Sequence, residues 1–414
     1  MNQTRFSSQR GAVLVQVAIM LLGLTAMSAF VVDYGVMWVS RRQAQNSADA
    51  AAMAGAISMG FVSMTNQALA RQAAIDAANQ NGVWGQAPNI TPADVTFPAC
   101  PPGSPGAGSN ACIQVDLYRN QARGNPLPTF FGRVANVANQ GVRATATAEV
   151  LFGDSTDCVK PFAIPDKWLE RRNDVAPPGW SELDSFEHYA QNGNNRGQPL
   201  SPFDLYEPPN GPGNTTGPNG TGFTRTSVTL GGSDYGRLIT LKQGNPQDQV
   251  SPGWFQPVDL ACGTGGACYR NAIANCDSMV VGPGSVLTVE PGNMIGPTRQ
   301  GMSDLIALDP QARWDTSLNG GLGGVTGGCM SAQPPTCGQS PRIVAIPVYN
   351  PDTFNAGTPS GRLDITIVKV LGFFVERMQG NDVVGRLMAY PGPPRGGTST
   401  TPETAFVISI ALVR

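Results

Sequence analysis

Few residues in this chain are of types that do chemistry, and their spacing argues against most of it. Eight cysteines occur, Cys100, Cys112, Cys158, Cys262, Cys268, Cys276, Cys329 and Cys337, and no two stand as C-x-x-C. A structural zinc site needs closely spaced thiolates with histidine, and the one histidine is His188, so no metal is assigned. Disulfides fit the cysteines better. The short spacings make Cys100 with Cys112, and Cys329 with Cys337, candidate pairs that each close a small loop, although spacing does not select among the many pairings that eight cysteines allow. The bland alternative is a set of free, buried thiols. His188 lies in SFEHYAQN between Glu187 and Tyr189, with no serine or cysteine nucleophile motif to serve, and reads as a surface or packed residue rather than a general base. No G-x-S-x-G elbow, H-E-x-x-H helix, P-loop or dinucleotide fingerprint occurs. No catalytic residue, no cofactor and no small-molecule substrate is therefore expected. A hydrolase of unfamiliar type would need a pair of carboxylates lining a cleft of the β domain.

Composition narrows the class further. Basic residues number 27 against 29 acidic ones, and charged residues are 14% of the chain. That balance supplies no cationic field for a polyanion, so nucleic acid is not expected as a partner. With 50 glycines and 35 prolines among 414 residues, ordinary apolar content and no short repeat, the sequence predicts a loop-rich β fold rather than disorder.

The strongest local signal is at the N-terminal end. Residues 11 to 32, GAVLVQVAIMLLGLTAMSAFVV, carry no charge between Arg10 and Asp33 and as a helix extend about 33 Å, enough to cross a bilayer. Gln16, Thr25 and Ser28 interrupt the span without charge and can bond the helix backbone or a partner helix. Arg5 and Arg10 before the span are matched by Arg41 and Arg42 after it, so the positive-inside rule barely orients the segment. The short tail, the cysteine usage and the lack of a second apolar span favour a cytoplasmic N-terminus and a C-terminal domain outside. A cleavable signal ending at Ala26-Met27-Ser28 competes with this, but the apolar stretch is long and helix-forming sequence continues beyond it.

The span is expected to continue outward as a rod from Asp33 to about Gly60, because DYGVMWVSRRQAQNSADAAAMAGAISMG is rich in helix formers. A second helix is expected over about Asn66 to Asn79, ending at Asn81-Gly82. Two β runs follow, Ala111 to Arg119 and Gly141 to Phe152, with an amphipathic helix expected between them at Pro128 to Val137. After Cys158, six apolar runs alternate with Gly/Pro/Asn turns: Ser227 to Leu230, Arg237 to Leu241, Met279 to Val289, Arg342 to Val348, Leu363 to Val375 and Thr404 to Val413. They predict a sandwich or barrel-like domain, with Pro208 to Gly222 as an exposed loop within it. The fold class expected is α+β: one transmembrane helix extended into a stalk over 1–60, a small α/β module over 61–157 and a β-rich extracytoplasmic domain over 158–414.

At this point the N-terminal residues form a pattern: Arg10-Gly11, an apolar span, Val32-Asp33-Tyr34-Gly35, Arg41, then Gln45-Asn46-Ser47-Ala48-Asp49-Ala50-Ala51-Ala52-Met53-Ala54-Gly55-Ala56. This resembles the N-terminal motif of the TadE/TadG-like Flp (tight adherence) pilus-assembly family, with its glycine before the span, VDxG at the outer edge and QNAADAAALAGA-like helix. More diffusely, CVKPFAIPDKW from Cys158, GNMIGPT from Gly292, RIVAIPVYN from Arg342 and VLGFFVE from Val370 are similar to the periplasmic parts of such proteins. The resemblance implies a single-pass bacterial inner-membrane protein facing the periplasm, a non-enzymatic anchor or scaffold with a pilin-like module. Its implied partners are other Tad pilus-assembly proteins or pilin-like subunits. A membrane-anchored or secreted adhesin-like binding protein is the alternative.

Two departures qualify what carries over. Cleavage after Gly11 would place Gln16 where processed relatives carry glutamate, and a neutral amide cannot pair with a neighbour's N-terminal amine as that charge does. The metal site of a von Willebrand factor A domain needs Asp-x-Ser-x-Ser, whereas the nearest string, Asp315-Thr316-Ser317-Leu318-Asn319, ends differently. The candidate helix-packing or partner-contact residues are Gln16, Asp33, Asp49 and Gly55. Asp33 also reads as an interfacial carboxylate that simply reaches water, and the small face from Ala48 to Ala56 suits either a partner or the chain's own module.

Overall fold

The computed structural model describes residues 9–172, 180, 184–190, 193–195, 197–225, 233–244, 250–330, 339–356, 363–395 and 402–413. The chain folds as two compact units, one of residues 1–59, 65–150 and 410–414, the other of 60–64 and 151–409.

The first unit is organised by one helix. α1 runs unbroken over Gln9–Ile57, and at 1.5 Å per residue its 49 residues extend about 73 Å. Beyond the apolar span it changes character: Ser40, Ala44, Ser47, Ala48, Ala51, Ala52 and Ala56 are all fully buried, a stripe at helical spacing that permits close approach. α2, Gln67–Gln80, packs there through buried Ala70, Ala74 and Ala78, and the Asn66 side chain accepts from the Leu69 amide as its N-cap. Ser47 Oγ donates to the Ala78 carbonyl at 3.3 Å. Behind the helices stand β1 (Val95–Thr96), β2 (Cys112–Arg119) and β5 (Val142–Gly153), antiparallel where paired. Alternation puts Ile113, Val115 and Leu117 opposite Ala148, Ala146 and Ala144 on one buried face. Between β2 and β5 the chain makes a small hairpin of β3 (Leu127–Pro128) and β4 (Asn139–Gln140).

That hairpin corrects the amphipathic helix expected over Pro128 to Val137. The segment holds only a short 3-10 turn at Gly132–Ala135, closed by Asn136 at a φ of 61°. Helical hydrogen bonding is pre-empted there by tertiary partners: Thr129 Oγ1 bonds the carbonyls of Val137 and Ala138, and the amides of Phe130, Phe131 and Gly132 go to a distant carboxylate.

In the second unit six strands close on themselves: β6 (Phe162–Pro165), β7 (Leu238–Gln243), β8 (Trp254–Pro257), β12 (Ile343–Tyr349), β13 (Asp364–Gln379) and β14 (Asp382–Met388). Their order is β12-β6-β8-β7-β14-β13, with β13 returning to β12. The β12–β13 and β13–β14 ladders are long and antiparallel, whereas β6–β12 and β7–β8 are parallel contacts of two residue pairs each. Gly380, at a φ of 64°, allows the two-residue turn between β13 and β14. Every residue of β12 is buried, as suits a strand packed on both faces. β9 (Val286–Thr288) adds to β13, β10 (Arg313–Asp315) pairs with β11 (Gly324–Thr326), and β15 (Tyr390–Pro391) lies parallel to β16 (Val407–Val413). Helices α3 (Gly266–Ala274) and α4 (Ile295–Ala307) pack on each other, and a short α5 spans Pro351–Ala356.

The run expected over Met279 to Val289 forms a strand only at its end, because Gly282-Pro283-Gly284 turns the chain after a single bridge from Val281 to Thr156. The run Ser227 to Leu230 lies outside the described residues.

Candidate functional site

The described residues of the apolar span of α1 turn their side chains outward. Leu14, Leu22 and Phe30 are about 70% exposed, at 72%, 73% and 70%, and none of the described residues of the span is buried. A core helix of a soluble protein would hide such a face, so this helix is long and apolar enough to cross a membrane and has its apolar surface free to do so. Thr25 Oγ1 donates to the Leu21 carbonyl at 2.9 Å and Ser28 Oγ to that of Leu24 at 2.9 Å, which satisfies their hydroxyls inside the helix. Gln16 is exposed in this stretch. Above it, Tyr34 stacks on Phe30 at 5.9 Å, and Trp38, itself exposed, carries the Arg42 guanidinium 3.8 Å over its ring, the aromatic and basic residues that favour a membrane boundary.

Asp33 stands at this boundary and has partners other than water. Its carboxylate accepts the amides of Phe130 at 2.7 Å, Phe131 at 3.1 Å and Gly132 at 2.6 Å. Gln140 Nε2 donates to the Asp33 carbonyl at 3.3 Å and to that of Pro128 at 3.0 Å. One carboxylate thus holds the start of the 129–137 loop against the helix, with charge-assisted bonds, and those amides, Phe130 first, keep its acidity stronger than usual. Beside this clasp runs a groove of about 740 Å³, walled by Leu22, Ala26 and Phe30 on the helix and by Phe131, Gly132 and Val137 on the loop.

The other two contact candidates turn inward. Asp49 accepts from Gln45 Nε2 at 2.8 Å, and the same amide also reaches the Thr145 carbonyl at 3.2 Å. A Cβ on Gly55 would lie 2.3 Å from Ile113 Cδ1, 3.2 Å from the Ala70 carbonyl oxygen and 3.3 Å from Ala74 Cβ. The small face therefore packs on the chain's own helix and sheet.

Disulfides join Cys100 to Cys112, Cys158 to Cys276 and Cys262 to Cys268. Cys337, the candidate partner of Cys329, lies outside the described residues. Among the described residues, one group gathers three metal-type ligands, Cys100, Cys112 and Glu149, but as a disulfide its sulfurs provide no thiolates. At Asp315 the string compared with a metal motif is a turn, with Ser317 donating its amide and hydroxyl to the carboxylate at 2.9 and 2.6 Å.

His188 packs between the rings of Tyr189 and Phe203, 4.2 and 4.4 Å away, with its Nδ1 facing the Asp352 carboxylate. The second unit also buries a lattice of charges. Lys167 pairs with Asp234 at 2.7 Å and Lys369 with Asp166 at 3.0 Å, all four side chains essentially out of solvent. Tyr206 and the Phe223 amide donate to Asp166. Burial pushes Glu170 up to about 9, beside Asp204 and under the indole N–H of Trp168 at 3.1 Å. Asp204 is consumed by the amides of Arg171, Arg172 and Glu187. These groups bond one another and the backbone, which is what buried charges need in order to persist. No local pattern marks them, since each acid pairs with a lysine distant in sequence, Asp234 with Lys167 and Asp166 with Lys369.

Residues 11–80 match the family model described as putative Flp pilus-assembly TadE/G-like. The chain carries a TadE/G-like domain. No curated protein and no solved structure matches the chain. The matched segment takes in the apolar span, Asp33, Asp49, Gly55 and α2, and supports a role in Flp pilus assembly. The loop that Asp33 holds lies beyond the matched residues.

Proposed function

We propose that this TadE/G-like protein is a non-enzymatic, membrane-anchored component of Flp pilus assembly. In this reading α1 crosses the bacterial inner membrane with its N-terminus in the cytoplasm, the first unit stands on it as a pilin-like module, and the barrel unit contacts the assembly machinery in the periplasm. The observation that carries the reading is the continuity of α1: an apolar span exposed at every described residue passes without a break into a buried alanine stripe. Anchor and module are thereby one rigid element, and a signal-peptidase cut near Ala29 would sever it. Three disulfides agree with an oxidising compartment. The small stripe already serves intramolecular packing, so subunit contacts are assigned to the span, where Gln16 is exposed.

Intact-mass analysis of protein extracted from its native membrane without reductant, with thiol labelling after denaturation, tests this. The uncleaved mass with few reactive thiols, and co-purification of other single-span pilin-like proteins, are the expected results. A chain beginning near Ala29 removes the anchor, and eight labelled thiols remove the periplasmic placement.

A further inference from the structure

We infer that the 129–137 loop is a second membrane contact, an interfacial wedge whose groove against α1 is filled by a lipid acyl chain. The inference rests on the anchor reading above and adds to it a depth for residues some hundred positions away in sequence.

The loop presents an apolar surface where solvent would be a poor neighbour: Phe130, Phe131 and Val137 are 56%, 45% and 50% exposed. That surface is continuous with the exposed face of the span, because Phe131 and Val137 line the same groove as Leu22, Ala26 and Phe30. Leu22 lies eleven residues below Asp33, about 16 Å along the helix. If residues 11–32 occupy the bilayer, the groove opens into its outer leaflet.

Non-helical backbone survives at such a depth only when its polar groups are bonded within the protein, and the loop meets that condition closely. Asp33 takes the amides of Phe130, Phe131 and Gly132. The amides of Asn136 and Val137 bond the carbonyls of Arg133 and Gly132, and Thr129 Oγ1 covers the carbonyls of Val137 and Ala138. A solvated surface turn has no need of this degree of internal satisfaction. The single cation, Arg133, is exposed and long enough to reach the headgroups. Lipid is favoured over a protein occupant by the continuity of the groove with the span, whose apolar face outside any subunit contact needs lipid.

The test places the photoreactive residue p-benzoylphenylalanine at Leu24, Phe131 or Val137 in turn, in the full chain, illuminates native membranes, and identifies adducts by mass spectrometry. Lipid adducts at Phe131 and Val137 in yield comparable to Leu24 are expected. Lipid at Leu24 with none at the two loop positions overturns the wedge and leaves the anchor standing. Protein adducts in place of lipid at the loop overturn it too, in favour of a docked subunit. Lipid at none of the three removes the anchor and the wedge together.

Discussion

Two glycines on one helix should respond oppositely to substitution. At Gly35 an added Cβ meets nothing within 4 Å, so Gly35→Ala exchanges a poor helix former for the best one and gains up to about 1 kcal/mol. At Gly55 the same atom would sit 2.3 Å from Ile113 Cδ1 and 3.2 Å from the Ala70 carbonyl. The Ile113 methyl can swing aside, but the α2 backbone cannot without parting from the stripe. Gly55→Val adds two further methyls to that crossing, and overpacking of this kind costs about 1–3 kcal/mol, more than the few tenths that valine gains over glycine in helix propensity. For a unit of this size the result is a Tm lower by roughly 2–10 °C, read by far-UV circular dichroism of the full chain in detergent. A Gly55→Val protein that melts with the wild type, yet loses its co-purifying membrane partners, would refute the packing argument and return the small face to a partner subunit.

Asp33→Ala should release the loop, raising hydrogen-exchange rates at Phe130, Phe131 and Gly132 while α2 keeps its protection; unchanged rates there would mean the clasp is incidental. Glu170 has its folded pKa raised to about 9 by burial first and by sharing a hydrogen bond with Asp204. Its contribution to stability is therefore complete below the usual carboxylate range and is lost as pH rises toward 9, so Glu170→Gln should flatten the decline of Tm between pH 5 and pH 9. Opening the Cys158–Cys276 bridge, which closes 118 residues, should cost about 2–5 kcal/mol, measured as the denaturant midpoint of a Cys158→Ser, Cys276→Ser protein. Opening Cys262–Cys268, which closes six, should cost less, because the chain entropy it removes is smaller.

The parts of the fold legible in the sequence are those where local and tertiary demands agree. α2 appears where its cap residues Asn66 and Asn81 stand, and β2 and β5 alternate visibly because one face meets the helices. β6 and β8 are four residues each and contain proline, too short to show any period. β14 carries Gly385, and α3 and α4 lie among glycine and proline where a β reading prevailed. The 129–137 segment was illegible for a different reason: Asp33, 97 residues before Phe130, decides its backbone, and no local window contains both. The candidate site was half visible accordingly. Asp33 could be picked out as a carboxylate at the end of an apolar span, but its partners could not.

A ring of strands has no first or last member, and this affects how the barrel unit could be taken apart. An open sheet yields from its free margin one strand at a time, whereas here any single strand must be released from two neighbours at once. The ring is uneven, however: β12 meets β13 over seven pairs, but β6 meets β12 and β7 meets β8 over two each. β6 and β8 also meet each other over two pairs, so this short arc of the circle is its weakest part, and the β12-β13-β14-β7 sheet, paired over seven, seven and four residues, is its strongest.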